Sequence, residues 1–367
     1  MHNDLKYKIA LSLIPGIGGV LARNLVSYVG SVEGVFSQSV NALVKIPGIG
    51  DYNAKQIRNS NVFGKAEKEI EFIQKHKIDT SFYTNDNFPR RLKSCVDAPI
   101  LIYSKGKINF DEQYVISIVG TRNATEYGKQ VCDQLIQQFS ERDYKILVVS
   151  GLAYGIDVQA HKSALKYKVQ TLGVVAHGLD RLYPSMHKET AKQMLSNGGL
   201  VTDFISGTKI EPPNFLRRNR IIAGLADATI IVESAAKGGA LVTADIASSY
   251  NRDVFAFPGR AGDVYSKGCN QLIRNNGATL IDGIDDLEYF MGWEHNSKEK
   301  NIQTNLFVEL NYLEQKIVDL LKKDGELFID QISTELQLTS SKVSATLLQL
   351  EFKNVLVGMP GQLYKLR

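Results

Sequence analysis

The chain has 367 residues, enough for two or three domains and at least one sizeable core. Hydrophobic residues make up 44% and charged residues 22%, which is ordinary for a soluble globular protein and names no class by itself. The formal charge of +4 is mildly basic, compatible with a nucleic-acid partner but too small to require one without local clustering. Cys95, Cys132 and Cys269 are isolated in sequence. That excludes a disulfide framework and a zinc site and fits a reducing compartment. The N-terminal apolar run is short and broken by Pro15, and no stretch approaches about 18 continuous apolar residues. The expectation is a cytoplasmic protein with no membrane association, no metal and no cofactor.

Near the start, "LIPGIGGVLARNLV" from Leu13 and "KIPGIGDYNAKQI" from Lys45 echo one another. Each couples Pro-Gly-Ile-Gly to an amphipathic helix. The glycines permit a tight turn, and the N–H groups at the start of the helix behind it can hold a phosphate without reading sequence. This is the look of helix-hairpin-helix units, here expected over residues 1–75. The alternative is a pair of hairpins that only pack on each other. The second copy is followed by few basic side chains beyond Lys55 and Arg58.

From about Tyr114 the pattern changes to apolar strands alternating with amphipathic helices. "YVISIVG" precedes the helix "ATEYGKQVCDQLIQQFS", "KILVVSG" precedes "GIDVQAHKSALKY", and "VQTLGVVAHG" precedes "HKETAKQMLS". "ATIIVES" precedes "GALVTADIASSY", and "DVFAFPG" and "ATLI" close the series around a helix at "NQLIRNN". Continuous apolar strands with intervening helices predict an extended Rossmann-like, doubly wound, mostly parallel sheet, assigned to residues 76–292. Polar, non-periodic sequence at 293–305 reads as a linker. Residues 306–367 give three helices, the third opened by Ser340 and Ser341, and then the hairpin "VLVGMPGQLYKL". That order of elements predicts a winged helix. Its third helix carries only Lys342 and Lys353 as basic residues, so a packing or protein-interaction role competes with DNA binding there.

In an open parallel sheet, ligands bind outside the carboxyl ends of the strands. Here those ends read Gly120-Thr121-Arg122, Ser150-Gly151, His177-Gly178, Glu233-Ser234 and Pro258-Gly259. Polar and glycine residues recurring at every strand end point to an anionic ligand. Gly120 allows close backbone approach, Thr121 offers a hydroxyl, and Arg122 presents a planar fork suited to phosphate. The next loop, "SGLAYGID", adds a helix start near Gly155, with Asp157 in its first turn favouring the helix through its dipole. Neither loop has G-x-G-x-x-G, so a dinucleotide is disfavoured. "NFLRRNR" places Arg217, Arg218 and Arg220 in front of an apolar run, with Phe215 and Asn219 beside them. A basic stripe suits a chain of phosphates, and an aromatic face suits a stacked base. Neighbouring helix residues diverge, so not all three arginines share a face, and one is expected to pair with an acidic neighbour. Lys267, ahead of the last helix start, is a further candidate phosphate contact, the alternative being an ordinary surface lysine.

Taken in order, "VGTRNATEYG", "SGLAYGIDVQAH", "GLDRLYP", "FLRRNRIIAGLADATIIVE", "GALVTADIA", "RDVFAFPG" and "SKGCNQLIRNNGA" resemble the DNA processing protein A (DprA or Smf) family, from about Phe82 to Leu280. The helical N-terminal region and the winged helix match that family's accessory modules. The resemblance implies sequence-independent binding of single-stranded DNA, loading of the RecA recombinase during natural transformation, dimerisation through the Rossmann-like domain, and no catalytic activity. It implies DNA contact at Arg122, Ser150, Gly151, Phe215, Arg217, Arg218, Asn219, Arg220 and Lys267. Two loops depart from the family pattern, at Ala176-His177-Gly178-Leu179 and at Gly238-Gly239. One rival is a phosphoribohydrolase-like enzyme, which needs a Pro-Gly-Gly-x-Gly-Thr-x-x-Glu loop. "KGGALVTAD" places Leu241 and Val242 where that loop needs Gly and Thr. Glu233, Asp245, His161 and His177 are its remaining candidate acids and bases. A second rival is a nucleotide-sensing regulator whose winged helix binds DNA.

Overall fold

The structure is a computed structural model that describes residues 2–293, 310–353, 355–359 and 362–366. The linker expected at 293–305 lies outside the described residues apart from Trp293. The chain divides into two compact units, Met1–Asn296 and Ser297–Arg367. Among the described residues no helix is long and apolar enough to cross a membrane.

The first unit opens with α1 (His2–Ser12), α2 (Gly19–Val29), α3 (Val32–Ser37), α4 (Val40–Leu43), α5 (Asp51–Asn59) and α6 (Phe63–His76). Gly16 and Gly48 hold the Pro-Gly-Ile-Gly turns ahead of α2 and α5 at φ of +80° and +82°, a region that favours glycine. The two hairpins pack on each other: a Cβ on Gly16 would lie 2.9 Å from Asn53 Oδ1, and one on Gly48 2.8 Å from Leu21 Cδ2. Their buried face (Ile9, Leu25, Leu43, Ile57) merges with Phe82 and Tyr103 of the strands that follow. The helical region is therefore a layer on one end of the sheet.

The sheet elements are β1 (Asp79–Phe82), α7 (Arg90–Lys93), β2 (Leu101–Lys107), β3 (Tyr114–Val119), α8 (Glu126–Glu141), β4 (Ile146–Ser150) and α9 (Ile156–Lys166). They continue through β5 (Gln170–Val174), α10 (Lys188–Met194), β6 (Gly198–Thr202), α11 (Pro212–Leu225), β7 (Ala228–Ile231) and α12 (Gly239–Ser249). The unit closes with β8 (Asp253–Ala256), α13 (Lys267–Arg274), β9 (Thr279–Leu280) and α14 (Ile284–Met291). The strand order is β1-β2-β6-β5-β4-β3-β7-β8-β9. β3 to β9 are parallel neighbours, while β2 joins β6 and β1 joins β2 antiparallel.

Alternate strand residues face opposite layers. Val115 and Leu147 pack with Ile221, Ala244 and Cys269 of α11, α12 and α13, while Ile116 and Val148 pack with Leu135, Ala160 and Leu287 of α8, α9 and α14. This is the doubly wound arrangement the apolar runs predict. From β3 the chain winds outward through β4, β5 and β6, then returns to β7 on the other side. The carboxyl ends of β3 and β7 thus flank the topological switch point.

Three strands escape the sequence reading. β6 begins with Gly198 and Gly199, residues that weaken strand propensity. Tertiary contact requires them: a Cβ on Gly198 would lie 1.9 Å from the Thr171 carbonyl oxygen, and one on Gly199 2.2 Å from that of Lys105. β1 and β2 form an antiparallel extension ahead of the repeating strand-helix pattern, where no crossover helix marks them.

The second unit holds α15 (Tyr312–Asp324), β10 (Leu327–Phe328), α16 (Ile329–Glu335), α17 (Ser340–Phe352), β11 (Leu356–Met359) and β12 (Leu363–Leu366). Its sheet order is β10-β12-β11. Ile317, Leu321, Ile332, Val343, Leu347 and Leu350 form its core. This is the expected winged helix.

Candidate nucleic-acid interface

The floor of the strand-end rim is closed by the protein's own carboxylates. Glu233, just past β7, is 3% exposed, and its carboxylate accepts the Thr125 N–H at 2.9 Å and also the Thr125 hydroxyl. It therefore occupies the N-terminus of α8, where an open α/β sheet of this topology holds a phosphate. Gly128 allows this approach, since a Cβ there would fall 2.2 Å from Glu233 Oε2. In the next loop the buried Asp157 accepts from the N–H groups of Ala153, Gly151 and Gly120. Burial raises its carboxyl above the usual range, while Arg218 and the three N–H groups pull the other way. Gly151 cannot carry a side chain here: a Cβ would meet Arg218 Nη1 at 2.1 Å and Asp157 Oδ2 at 2.5 Å. The dipole role expected of Asp157 is thus extended to tying two rim loops together. Ser150 turns its hydroxyl inward to the Ile118 carbonyl at 2.6 Å.

The three arginines of α11 separate as helical geometry requires, about 100° per residue. Pro212 and Pro213 start the helix, with Pro at the first positions where the missing N–H costs nothing. Arg217 is exposed, its guanidinium 5.2 Å from the Phe204 ring centroid. Arg218 is 4% exposed and donates to the Val174 carbonyl, while its Nε has no hydrogen-bond partner among the described residues. Burial lowers its pKa to about 10, with Asp157 opposing the shift. Arg220 pairs with Asp203 and donates to the Asp97 carbonyl. Asn219 is half-buried between them.

The outer lip is different in kind. Arg122 is exposed, its guanidinium 5.6 Å from the Phe215 ring centroid, within cation–π range. Tyr183 meets the same ring edge-on, with centroids 5.8 Å apart. Arg122, Tyr183, Ile210, Pro212, Phe215 and Leu216 line an open pocket of about 690 Å³. Arg122 is aimed by its backbone: the Thr121 N–H donates to the Glu233 carbonyl at 2.8 Å and the Ile156 N–H to the Thr121 carbonyl at 3.2 Å. Arg217 faces a second cleft of about 680 Å³, shared with Gly16 to Gly19 of the first hairpin. The α2 N-terminus there has no side-chain cap and no acidic residue in its first turn. The matching turn before α5 carries Asp51, bound to Lys55 at 2.6 Å. Arg58 donates to the Phe36 carbonyl.

Of the positions predicted from sequence, Arg122 and Phe215 meet on the lip, Arg217 is exposed over Phe204 in the neighbouring cleft, and Lys267 is exposed at the first position of α13. Gly120, Thr121 and Gly151 form the backbone of the rim loops. Ser150 and Arg218 lie beneath them, and Arg220 is held by its acidic neighbour. Tyr183 was missed as a site residue, although "GLDRLYP" was on view. His177 is not free on the rim: its Nε2 accepts the Tyr183 N–H at 3.1 Å, so its Nδ1 donates to the Gly178 carbonyl at 2.8 Å. It clamps the loop that presents Tyr183. His161 is fully buried. In the winged helix, Lys353 is held by Glu314 at 2.7 Å, leaving Lys342 as the exposed base of α17.

A doubly wound sheet with internally occupied anion cradles and a basic, aromatic outer lip defines a Rossmann-like class of protein. The sequence profile of the DNA recombination-mediator protein A family matches residues 79–292, a tandem helix-hairpin-helix profile matches 9–60, and the DprA winged-helix profile matches 308–362. Protein Smf of Synechocystis is 30% identical over the whole of both chains. DNA processing protein DprA of Bacillus subtilis is 35% identical over 61% of this chain and 75% of its own. The X-ray structure of DNA processing protein A from Streptococcus pneumoniae superposes with a TM-score of 0.66 at 27% identity, covering 77% of this chain and 97% of that one. A second structure, described as showing the single-stranded DNA binding mode of DNA processing protein A from Helicobacter pylori, gives 0.53 at 26% identity over 59% and 95%. This chain belongs to the DNA recombination-mediator protein A family, also called DprA or Smf.

Proposed function

We propose that the lip of the central sheet binds single-stranded DNA without sequence preference, and that the bound protein loads RecA onto DNA entering by natural transformation. The observation that carries the DNA reading is the Arg122–Phe215–Tyr183 pocket: a guanidinium fork and an aromatic face side by side on an exposed edge. Phosphate contacts and stacking act on any base. The Helicobacter pylori relative binds single-stranded DNA by its own description. RecA loading and a homodimer formed through the central domain rest on family membership. We read the chain as a mediator rather than a phosphoribohydrolase, because Glu233 is hydrogen-bonded at the α8 N-terminus and Leu241 and Val242 lie inside α12.

The test is a fluorescence-anisotropy titration of labelled oligothymidine across salt concentrations, with a duplex control. The expected outcome is preference for the single strand, with log K falling by about 0.7 per phosphate contact per log unit of salt. Equal binding of duplex and single strand rejects the reading. RecA-dependent ATP hydrolysis on coated single strands tests loading: the protein should shorten the lag, and an unchanged lag rejects that part alone.

A further inference from the structure

We propose a second nucleobase site on the lip, on the far side of the G-T-R turn from Phe215. It rests on the single-strand reading above and extends it. Thr125, three residues beyond Arg122, borders an open pocket of about 910 Å³ formed by the first turn of α8 and the loop from β8 to α13. Tyr127, Pro258, Val264 and Tyr265 supply its apolar surface, and Arg260 and Asp263 its charges. Tyr127 in the first turn of α8 is 46% exposed and Val264 in the loop is 61% exposed, so both present apolar surface to the pocket. The Tyr127 hydroxyl donates to the Pro258 carbonyl at 2.8 Å, fixing the ring at the pocket edge.

Three features select a stacked base of the same strand as occupant. First, Arg122 of the first pocket and Thr125 of the second lie three residues apart on one loop, so the two pockets flank the same turn of chain. Second, β3 is the shared centre: the first pocket lies toward β5 and the second toward β8. β5 and β8 are four strand steps apart, roughly 19 Å at about 4.8 Å per step, which an extended single strand covers in a few nucleotides. Third, Arg260 and Lys267 are exposed beside the pocket and can hold the intervening phosphates, outnumbering Asp263. Two aromatic stations bracketing an arginine would make binding depend on oligonucleotide length without reading sequence.

The experiment compares oligothymidines of about three and about eight nucleotides. Wild type should bind the longer one at least tenfold more tightly than statistical repetition of the short site allows. Tyr127→Ala with Arg260→Ala should remove that gain and leave the short oligonucleotide unaffected. In a Val264→Trp variant, which keeps the loop intact, indole fluorescence should be quenched by the long strand and not by the short one. A long strand with abasic positions outside three central thymidines keeps its phosphates but should bind wild type more weakly than the full oligothymidine. Unchanged long-strand binding by the double variant, or equal binding of the abasic strand, overturns the second base site. Normal short-strand binding by Arg122→Ala would instead defeat the Phe215 pocket, so the two failures are distinguishable.

Discussion

The floor and the lip of the strand-end rim are built from the same short segments yet have opposite chemistry. On the floor, Asp157, Glu233, Ser150 and Arg218 are buried and hydrogen-bond mainly to loop and strand backbone, with Arg218 the cation nearest Asp157. On the lip, Arg122, Arg217 and Lys267 reach solvent, and the first two lie over aromatic rings. Residues one position apart, Arg217 and Arg218, fall on different sides of this division. The lesson is that the Rossmann-like sheet has kept its anion-attracting strand ends but fills them with internal carboxylates. The binding surface proposed above lies outward of them, where an extended polymer has room to lie. Floor residues should therefore govern stability, and lip residues affinity.

The largest effect expected is on the floor. Arg218→Ala leaves the Asp157 carboxylate buried with its main cationic neighbour gone, and should lower unfolding free energy by about 3–5 kcal/mol in urea titrations. A loss near zero would move Arg218 to the lip. Next is the lip itself: Arg122→Ala with Phe215→Ala should weaken single-strand binding about a hundredfold, roughly 2.7 kcal/mol, with an unchanged thermal midpoint. A matching fall in the midpoint would erase the distinction between the two regions.

The third effect returns to the floor through pH. The Thr171 hydroxyl donates to the Val148 carbonyl, so it accepts from His161 Nδ1, leaving Nε2 buried with no hydrogen-bond partner among the described residues. Burial lowers the His161 pKa from 6.5 to about 3. The folded state then binds fewer protons than the unfolded one in that window, so stability is full above pH 6.5 and is lost as pH falls. The loss by pH 5 is about 2 kcal/mol. His161→Gln should flatten the profile of urea stability between pH 7 and 5, and an identical slope would contradict the assignment. The smallest effect is Arg217→Ala: a few-fold loss of affinity with the salt slope reduced by about 0.7, as for one phosphate. An unaltered slope would mean Arg217 touches no phosphate.

Much of this division was legible in advance. The apolar runs gave the parallel strands, and glycine and polar residues at each strand end marked the rim, because backbone approach and helix starts need those residue types. The order of three helices and a hairpin gave the winged helix. The inward turn of Arg218 was not legible, because its direction depends on the phase of α11, which its packing on the sheet decides. Nor was the reach of Asp157 across to Gly120, a contact between loops that the sequence separates by more than a strand and a helix. Tyr183 was hidden for a related reason: the buried His177 places it, and a histidine after a strand reads more readily as a reactive group than as a clamp. β6 was lost to its two glycines, whose value lies in the strands on either side.

The most direct test of the displaced surface is photocrosslinking of a single strand carrying 5-iodouracil, with the crosslinked peptides mapped by mass spectrometry. The account predicts adducts on Phe215 and Tyr183 and none between Ile156 and Lys166, the helix that carries Asp157 and His161. Adducts confined to α17 of the winged helix, with none on the lip, would contradict it.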